Sequence, residues 1–251
     1  MNLYVVTGTT KGLGESLAEH ITKQPENLLL TLSRSPAEYM PGGLRANIHA
    51  DFGDIAELPG VLSAAEKALV GQHFDKAILL NNAGVVSPVG AFERVNGAAV
   101  ANNIQVNLVA PMLLMQWFAN ITRQCAASRL IVNLSSGAAR RAVAGWSAYC
   151  AAKAGLEMAT RVAAMEATHR DATLAICSLA PGVVDTPMQA ELRRHSEAEF
   201  PDIARFRAMK EEGVLRPAAD VARDILGLIA ANRLANGGIY DLRDLQAEAA
   251  P

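Results

Sequence analysis

The sequence predicts a doubly wound, Rossmann-type α/β protein, a parallel sheet of about seven strands with helices on both faces. Three observations predict it. Short β-prone apolar runs alternate with helical patterns along the whole chain, and a strand, a glycine-rich turn and a helix follow one another at its start. The polar and glycine-rich motifs fall just after strands, where ligands of such sheets bind.

Taken in order, Leu3–Thr7 is apolar and β-prone, and the helical pattern Glu15–Ile21 follows it after the glycine-rich turn. Leu28–Ser33 is apolar without alternation, as a strand buried on both faces would be. Asn47–Ala50 and Lys76–Asn81 are the next strands, with the helix Val61–Val70 between them. A long helical segment, Ala101–Cys125, leads to the strand Leu130–Leu134. The helix Ala148–Thr168, the strand Leu174–Leu179, the helix Ala218–Ala231 and the strand Gly238–Asp241 complete the alternation. Parallel strands joined through helices need right-handed crossovers, which cover both faces of the sheet. Pro187–Gly213 is charged, interrupted by Pro201 and free of strand patterns; it reads as an inserted flap over the site. No linker or repeat divides the chain, so residues 1–251 are expected to form one domain.

Composition narrows the function. A chain of 251 residues is long enough to bury a substantial core. A net charge of -2 gives no electrostatic case for nucleic acid or an anionic membrane. No apolar run approaches the roughly 20 residues needed to span a bilayer, so no membrane partner is expected. Leu3 opens a strand with no basic segment ahead of it, and no secretory leader is expected. Cys125, Cys150 and Cys177 are odd in number and lack a C-x-x-C pair, which reads as buried thiols of a cytoplasmic protein. The five histidines have no metal-ligand spacing, so no metal is expected.

Thr7-Gly8-Thr9-Thr10-Lys11-Gly12-Leu13-Gly14 lies between the first strand and its helix, the dinucleotide-binding arrangement. Gly8 permits the tight turn, Gly12 lets a pyrophosphate approach the backbone, and Gly14 lets helix and strand pack closely. The helix N-terminus then offers free N–H groups and a positive dipole end to phosphate. Arg34 stands about twenty residues beyond the last glycine, where an acid would bind a ribose 2′-hydroxyl and an arginine a 2′-phosphate. Lys11 can add a second charge to that phosphate. Read this way the two favour NADP(H) over NAD(H); otherwise they are solvated surface cations.

Tyr149 and Lys153 are four apart in an alanine-rich helical pattern, so they share a face. A phenol is a poor acid or base near neutral pH, and a cation one turn away is expected to lower its pKa. Ser135-Ser136 follows the fifth strand, either as a cap or turn serine or as a hydroxyl aimed at a ligand. Asn107, polar among apolar neighbours, either bends its helix through buried hydrogen bonds or holds a catalytic water. Asn81-Asn82-Ala83-Gly84 and Pro181-Gly182-Val183-Val184-Asp185-Thr186 close the fourth and sixth strands.

Together T-G-x-x-x-G-x-G at Thr7–Gly14, N-N-A-G at Asn81–Gly84, Asn107, Ser136, Tyr149/Lys153 and P-G-x-V-x-T at Pro181–Thr186 resemble the short-chain dehydrogenase/reductase family, in order and spacing, over nearly the whole chain. Several stretches, among them Asn107–Met112, Gly145–Cys150 and Lys210–Gly213, are also similar to the benzil reductases of the sepiapterin-reductase-like group. The resemblance implies that Tyr149 protonates a substrate carbonyl oxygen as hydride arrives from NADP(H). It implies that Lys153 lowers the Tyr149 pKa and binds the nicotinamide ribose, that Ser136 donates to the same oxygen, and that Asn107 positions a water leading to solvent. Asp51 resembles the adenine-contacting acid; Asn82, Ala83 and Gly84 would line the adenosine ribose side, and Thr10 and Leu13 belong to the phosphate loop. Pro181, Gly182, Val184 and Thr186 would border the nicotinamide, the last two holding its carboxamide.

The implied activity is reduction of a ketone or α-diketone, benzil-like or another aryl carbonyl, to a secondary alcohol by a homodimer or homotetramer. An NAD-linked alcohol dehydrogenase working oxidatively, a non-catalytic NADP(H) sensor and a structural oligomerisation protein are the alternatives. Val143, Trp146, Met188, Leu192, Phe200 and Phe206 form either an apolar substrate pocket or core, and Arg140 and Arg141 either rim it or face solvent.

Overall fold

The computed structural model describes residues 1–35 and 44–247. Seven parallel strands form one sheet in the order β3-β2-β1-β4-β5-β6-β9: β1 (Asn2–Thr7), β2 (Asn27–Ser33), β3 (Leu44–His49), β4 (Phe74–Asn81), β5 (Ala126–Leu134), β6 (Leu174–Ala180) and β9 (Ile239–Asp241). The chain order reverses beside β1, so a crevice opens beyond the ends of β1 and β4, where ligands of open α/β sheets bind.

Strand periodicity divides the core. Successive side chains of β1 point to opposite faces, so Leu3 and Val5 join one cluster while Tyr4 and Val6 join the other. The first cluster lies under α2 (Leu58–Leu69), α4 (Ala110–Ile121) and α5 (Ser147–Arg170), through Leu69, Leu114, Phe118 and Ala164. The second lies under α1 (Gly12–Thr22) and α8 (Ala218–Ala230), through Leu17, Ile21, Val221, Ile225 and Ile229. Both faces are covered, which is why the strand sequences are apolar throughout rather than alternating.

The predicted helix 101–125 is resolved into three pieces: α3 (Gly97–Ile104), a π-helical turn at Gln105–Val109, and α4. Asn96 caps α3 by accepting from the Ala98 and Ala99 N–H groups. Contrary to expectation, the run Gly97–Ile121, with mean hydropathy 1.3, is long and apolar enough to cross a membrane by length and composition. Val106, Ala110, Leu114, Trp117 and Phe118 instead pack into the core, and Asn103 and Asn107 are buried with hydrogen-bond partners.

Strand-free sequence after β6 holds α6 (Pro187–Leu192) and α7 (Ile203–Glu211). Its two ends are joined by a small parallel pair that the sequence did not predict, β7 (Val184–Asp185) with β8 (Arg216–Pro217). The last described helix is α9 (Leu242–Ala247).

Candidate active site

A single cleft of about 600 Å³ runs across the carboxyl ends of β1, β4, β5 and β6. Every residue singled out for cofactor binding or chemistry lines it, except Asn107, which lies just behind its wall.

At one end stands the β1–α1 turn. Gly8 and Gly12 have φ of 69° and 65°, a region L-residues rarely enter. A Cβ on Gly14 would overlap the Gly8 carbonyl oxygen and the Asn82 amide. Asn82 ties this turn to the end of β4, its Nδ2 donating to the Thr7 and Gly8 carbonyls at 2.9 and 3.0 Å. Thr7 Oγ1 accepts from the Asn82 and Ala83 N–H groups, both at 2.9 Å. Lys11 sits at the N-cap of α1 without a side-chain cap, so the first N–H groups of the helix face the cleft free for an anion. Lys11 and Arg34 are exposed on the cleft wall. Asp51 lines the same end, its Oδ1 accepting from Gly53 N at 2.9 Å. Glycines forced by backbone contact and an uncapped helix end fit the diphosphate of a dinucleotide.

Side chains build the other end. Tyr149 and Lys153 face the cleft from α5 and are 8% and 4% exposed. Lys153 Nζ donates to the Leu134 carbonyl at 2.8 Å and lies 5.8 Å from the Tyr149 ring centroid. Ser136 begins a 3₁₀ turn over Gly137–Ala139 and caps it by accepting from Ala138 N at 3.2 Å. Asn107, fully buried in the π turn, accepts from Val85 N at 3.2 Å and donates to Val85 O at 2.7 Å. A Cβ on Gly84 would lie 2.9 Å from Asn107 Oδ1 and 3.9 Å from Lys153 Nζ, so the absent side chain keeps a gap between them.

Burial dominates the titration of this end. It pushes the Tyr149 phenol up to about 12, with hydrogen bonding to the Ser136 side chain opposing it and Cys150 adding to it. Burial pushes Lys153 down to about 8. The sequence led us to expect Lys153 to draw the phenol toward neutral pH; here Ser136 does the lowering. The reason is geometric, since the ammonium is held by the Leu134 carbonyl.

Beyond Tyr149 the cleft opens on a third apolar cluster containing Val86, Val143, Trp146, Leu192, Phe200 and Phe206. Trp146 stacks on Phe200 at 5.0 Å and meets the Tyr149 ring edge-on at 5.4 Å. Met188, Leu192, Phe206 and Met209, from α6 and α7, line this part of the cleft. Phe200 is fully buried and outside the lining, so that position is core. Pro181, Gly182, Val184 and Thr186 form the wall between the two ends.

Arg140 and Arg141 both line the cleft, and the roles of several residues went beyond what the sequence indicates. Thr7 organises the N-N-A-G turn through two accepted hydrogen bonds. Arg140 pairs with Glu157 and Asp241 at 3.6 and 3.8 Å, and Ser135 donates to Glu157 at 2.8 Å. Glu157 continues the Tyr149, Lys153 spacing by one more turn, and that periodicity was the signal available for it.

A glycine loop on a helix end, joined by one cleft to a buried phenol–ammonium pair, defines an oxidoreductase on a Rossmann-type sheet. The family model for short chain dehydrogenase matches residues 2–197, and the chain belongs to that family, whose members use nicotinamide cofactors. It is 33% identical over 244 residues to the benzil reductase ((S)-benzoin forming) of Bacillus subtilis, covering 97% of this chain and 99% of that one. With the sepiapterin reductase of Rattus norvegicus the identity is 28%, covering 96% of each. The solved 3-oxoacyl-[acyl-carrier protein] reductase of Brucella melitensis, in complex with NAD, has the same fold: TM-score 0.78 at 22% identity, covering 96% of this chain and 95% of that one.

Proposed function

We propose that the protein is an NADPH-dependent carbonyl reductase that converts aryl ketones or α-diketones of the benzil type to secondary alcohols. The observation that carries this reading is the placement of Tyr149, Ser136 and Lys153 on one cleft wall, between the glycine loop and the aromatic cluster around Trp146. The nicotinamide supplies hydride. Tyr149 donates the proton to the carbonyl oxygen, and its high pKa keeps that proton in place until charge develops there. Ser136 donates to the same oxygen and stabilises the developing alkoxide. Lys153 places a cation behind the phenol and binds the ribose. Asn107, held rigid by Val85 and Asn103, lies across the Gly84 gap from Lys153 and positions a water there to return the proton.

Trp146, Phe206, Met188 and Leu192 give a bulky uncharged aryl group its apolar surface, and residues 187–213 act as the flap that closes on it. Lys11 and Arg34 bind the 2′-phosphate at the adenosine end. The similarity to benzil reductase supports the same substrate class. Met158, Val162 and Met165 form an exposed apolar stripe on α5, and Val109 and Met112 are exposed as well, which supports assembly as a homodimer or homotetramer; three free thiols support a cytoplasmic enzyme. Sedimentation at micromolar concentration should show no monomer.

The test is consumption of NADPH with benzil, beside NADH and a simple aliphatic ketone, in wild type and Arg34→Asp. We expect fast turnover with NADPH and benzil, and a KM for NADPH that rises in the variant by about tenfold or more while that for NADH changes little. Equal effects on both nucleotides overturn the phosphate assignment. Nucleotide binding without benzil reduction overturns the substrate class.

A further inference from the structure

Three residues spaced one turn apart on α5 meet three consecutive residues where β5 ends. Lys153 Nζ donates to the Leu134 carbonyl at 2.8 Å, Glu157 Oε1 accepts from the Ser135 hydroxyl at 2.8 Å, and Tyr149 and Ser136 line the cleft together, the hydroxyl opposing the rise of the phenol's pKa. Tyr149 and Lys153 belong to the chemistry above, whereas Glu157 does not line the cleft. It is 2% exposed, and a carboxylate buried to that extent requires partners. Its second partner is Arg140, whose Nε lies 3.6 Å from the same oxygen.

Ser135 and Arg140 are the two ends of the turn that carries Ser136, so one carboxylate grips both. The contact chain continues outward. Arg140 Nη2 is 3.8 Å from Asp241 Oδ2 on β9, and Asp241 accepts from Arg243 Nε and Nη2 at 2.8 and 2.7 Å. The Arg243 stem runs along Gly182, where an added Cβ would meet its Cγ and Cδ at 3.6 Å. The Ser136 turn of the cleft wall is thereby tied to a side chain behind it.

We propose that Glu157 is a positioning residue for the reaction: with Arg140 it fixes the Ser135–Arg140 turn and so holds the Ser136 hydroxyl against the Tyr149 phenol. The inference rests on the reading of Tyr149 and Ser136 as the pair that meets the carbonyl oxygen.

Glu157→Gln keeps an acceptor for Ser135 and removes the charge that holds Arg140. Arg140→Gln removes the other member where its side chain is 39% exposed, so at least one variant should fold. We expect kcat with benzil to fall by about ten- to hundredfold in each, with the KM for NADPH unchanged. A second readout needs no turnover. The chain has four tyrosines, so the ring-carbon NMR signal of Tyr149 is assignable from its loss in Tyr149→Phe. Glu157→Gln and Arg140→Gln should move that signal in the same direction as Ser136→Ala. The double variant S136A/E157Q should lose no more activity than Ser136→Ala alone, because both act through one hydroxyl. An unmoved Tyr149 signal, or losses that multiply in the double variant, would overturn the proposal. A wild type that reduces no carbonyl compound would sink the reductase reading, while the Tyr149 signal would still decide where Ser136 is held.

Discussion

The two ends of the cleft solve opposite problems. The phosphate end is made of backbone: Gly8, Gly12 and Gly14, the free N–H groups of α1, and hydrogen bonds from Asn82 to the Thr7 and Gly8 carbonyls. It binds by leaving side chains out. The catalytic end is made of buried polar side chains, Tyr149, Lys153, Glu157 and Asn107, set on one helix and one π turn. It works by burying polar groups in the cleft wall, which is why its titrations move so far. Small changes of shape should therefore disable the first end, and small changes of charge or hydroxyl the second.

The largest effect is expected from Tyr149→Phe, which removes one oxygen and little volume. Turnover should fall by about a thousandfold or more, since on the proposed reading Tyr149 gives up the proton and Ser136 only hydrogen-bonds the oxygen, while NADPH binding measured by fluorescence stays. Were most activity to survive, the catalytic end would have to work without the phenol, and the contrast between the ends would fail.

Gly14→Ala is the matching change at the phosphate end. The added methyl would strike the Gly8 carbonyl and the Asn82 amide together, in a turn whose hydrogen bonds join β1 to β4. Overpacking of this kind costs about 1–3 kcal/mol, so the melting temperature should drop and nucleotide affinity fall with it. The kcat of molecules that still bind NADPH should be close to normal. A variant with normal affinity and stability would mean that α1 slides away from β1 more easily than the contacts allow.

The same contrast governs what the sequence disclosed. Gly8, Gly12, Gly14 and Asn82 were legible because backbone sites leave glycine and amide signatures at fixed spacing after strands. The sheet was legible because strands buried on both faces are apolar throughout. The π turn at Gln105–Val109 was not, since an extra residue in a helical turn leaves the apolar pattern almost intact. Nor were the roles of Glu157 and Arg140, whose pairing joins α5 to the turn after β5, 17 residues apart in sequence. The pKa of Tyr149 was misjudged because spacing along a helix gives proximity but not the direction of the Lys153 ammonium or the depth of burial.

The smallest effect is the one that separates the ends most finely, the pH dependence of reduction. A lysine is charged below its pKa, so with Lys153 near 8 the ammonium is present at neutral pH and lost as pH rises through about 8. The phenol, near 12, stays protonated across that range. kcat should therefore decline above about pH 8, and Lys153→Arg, charged at every accessible pH, should flatten the decline with a rate at neutral pH lower by about tenfold. Unfolding does not explain the decline, because the Lys153 pKa is lowered on folding from 10.5. The unfolded chain then binds more protons between about 8 and 10.5, and this group makes stability rise with pH through that window. Tyr149 acts in the opposite sense, with its pKa raised from 10.0 to about 12, so its contribution is lost as pH rises from about 10 to 12, well above the limb near 8. On the proposed reading nucleotide affinity rests mainly on backbone donors and on Lys11 and Arg34, with one ribose contact from Lys153, so it should fall far less than kcat through the limb near 8. If NADPH binding falls as steeply as kcat over the same pH range, the Lys153 charge acts chiefly through its ribose contact rather than through the proton, and the boundary between the two ends lies on the other side of it.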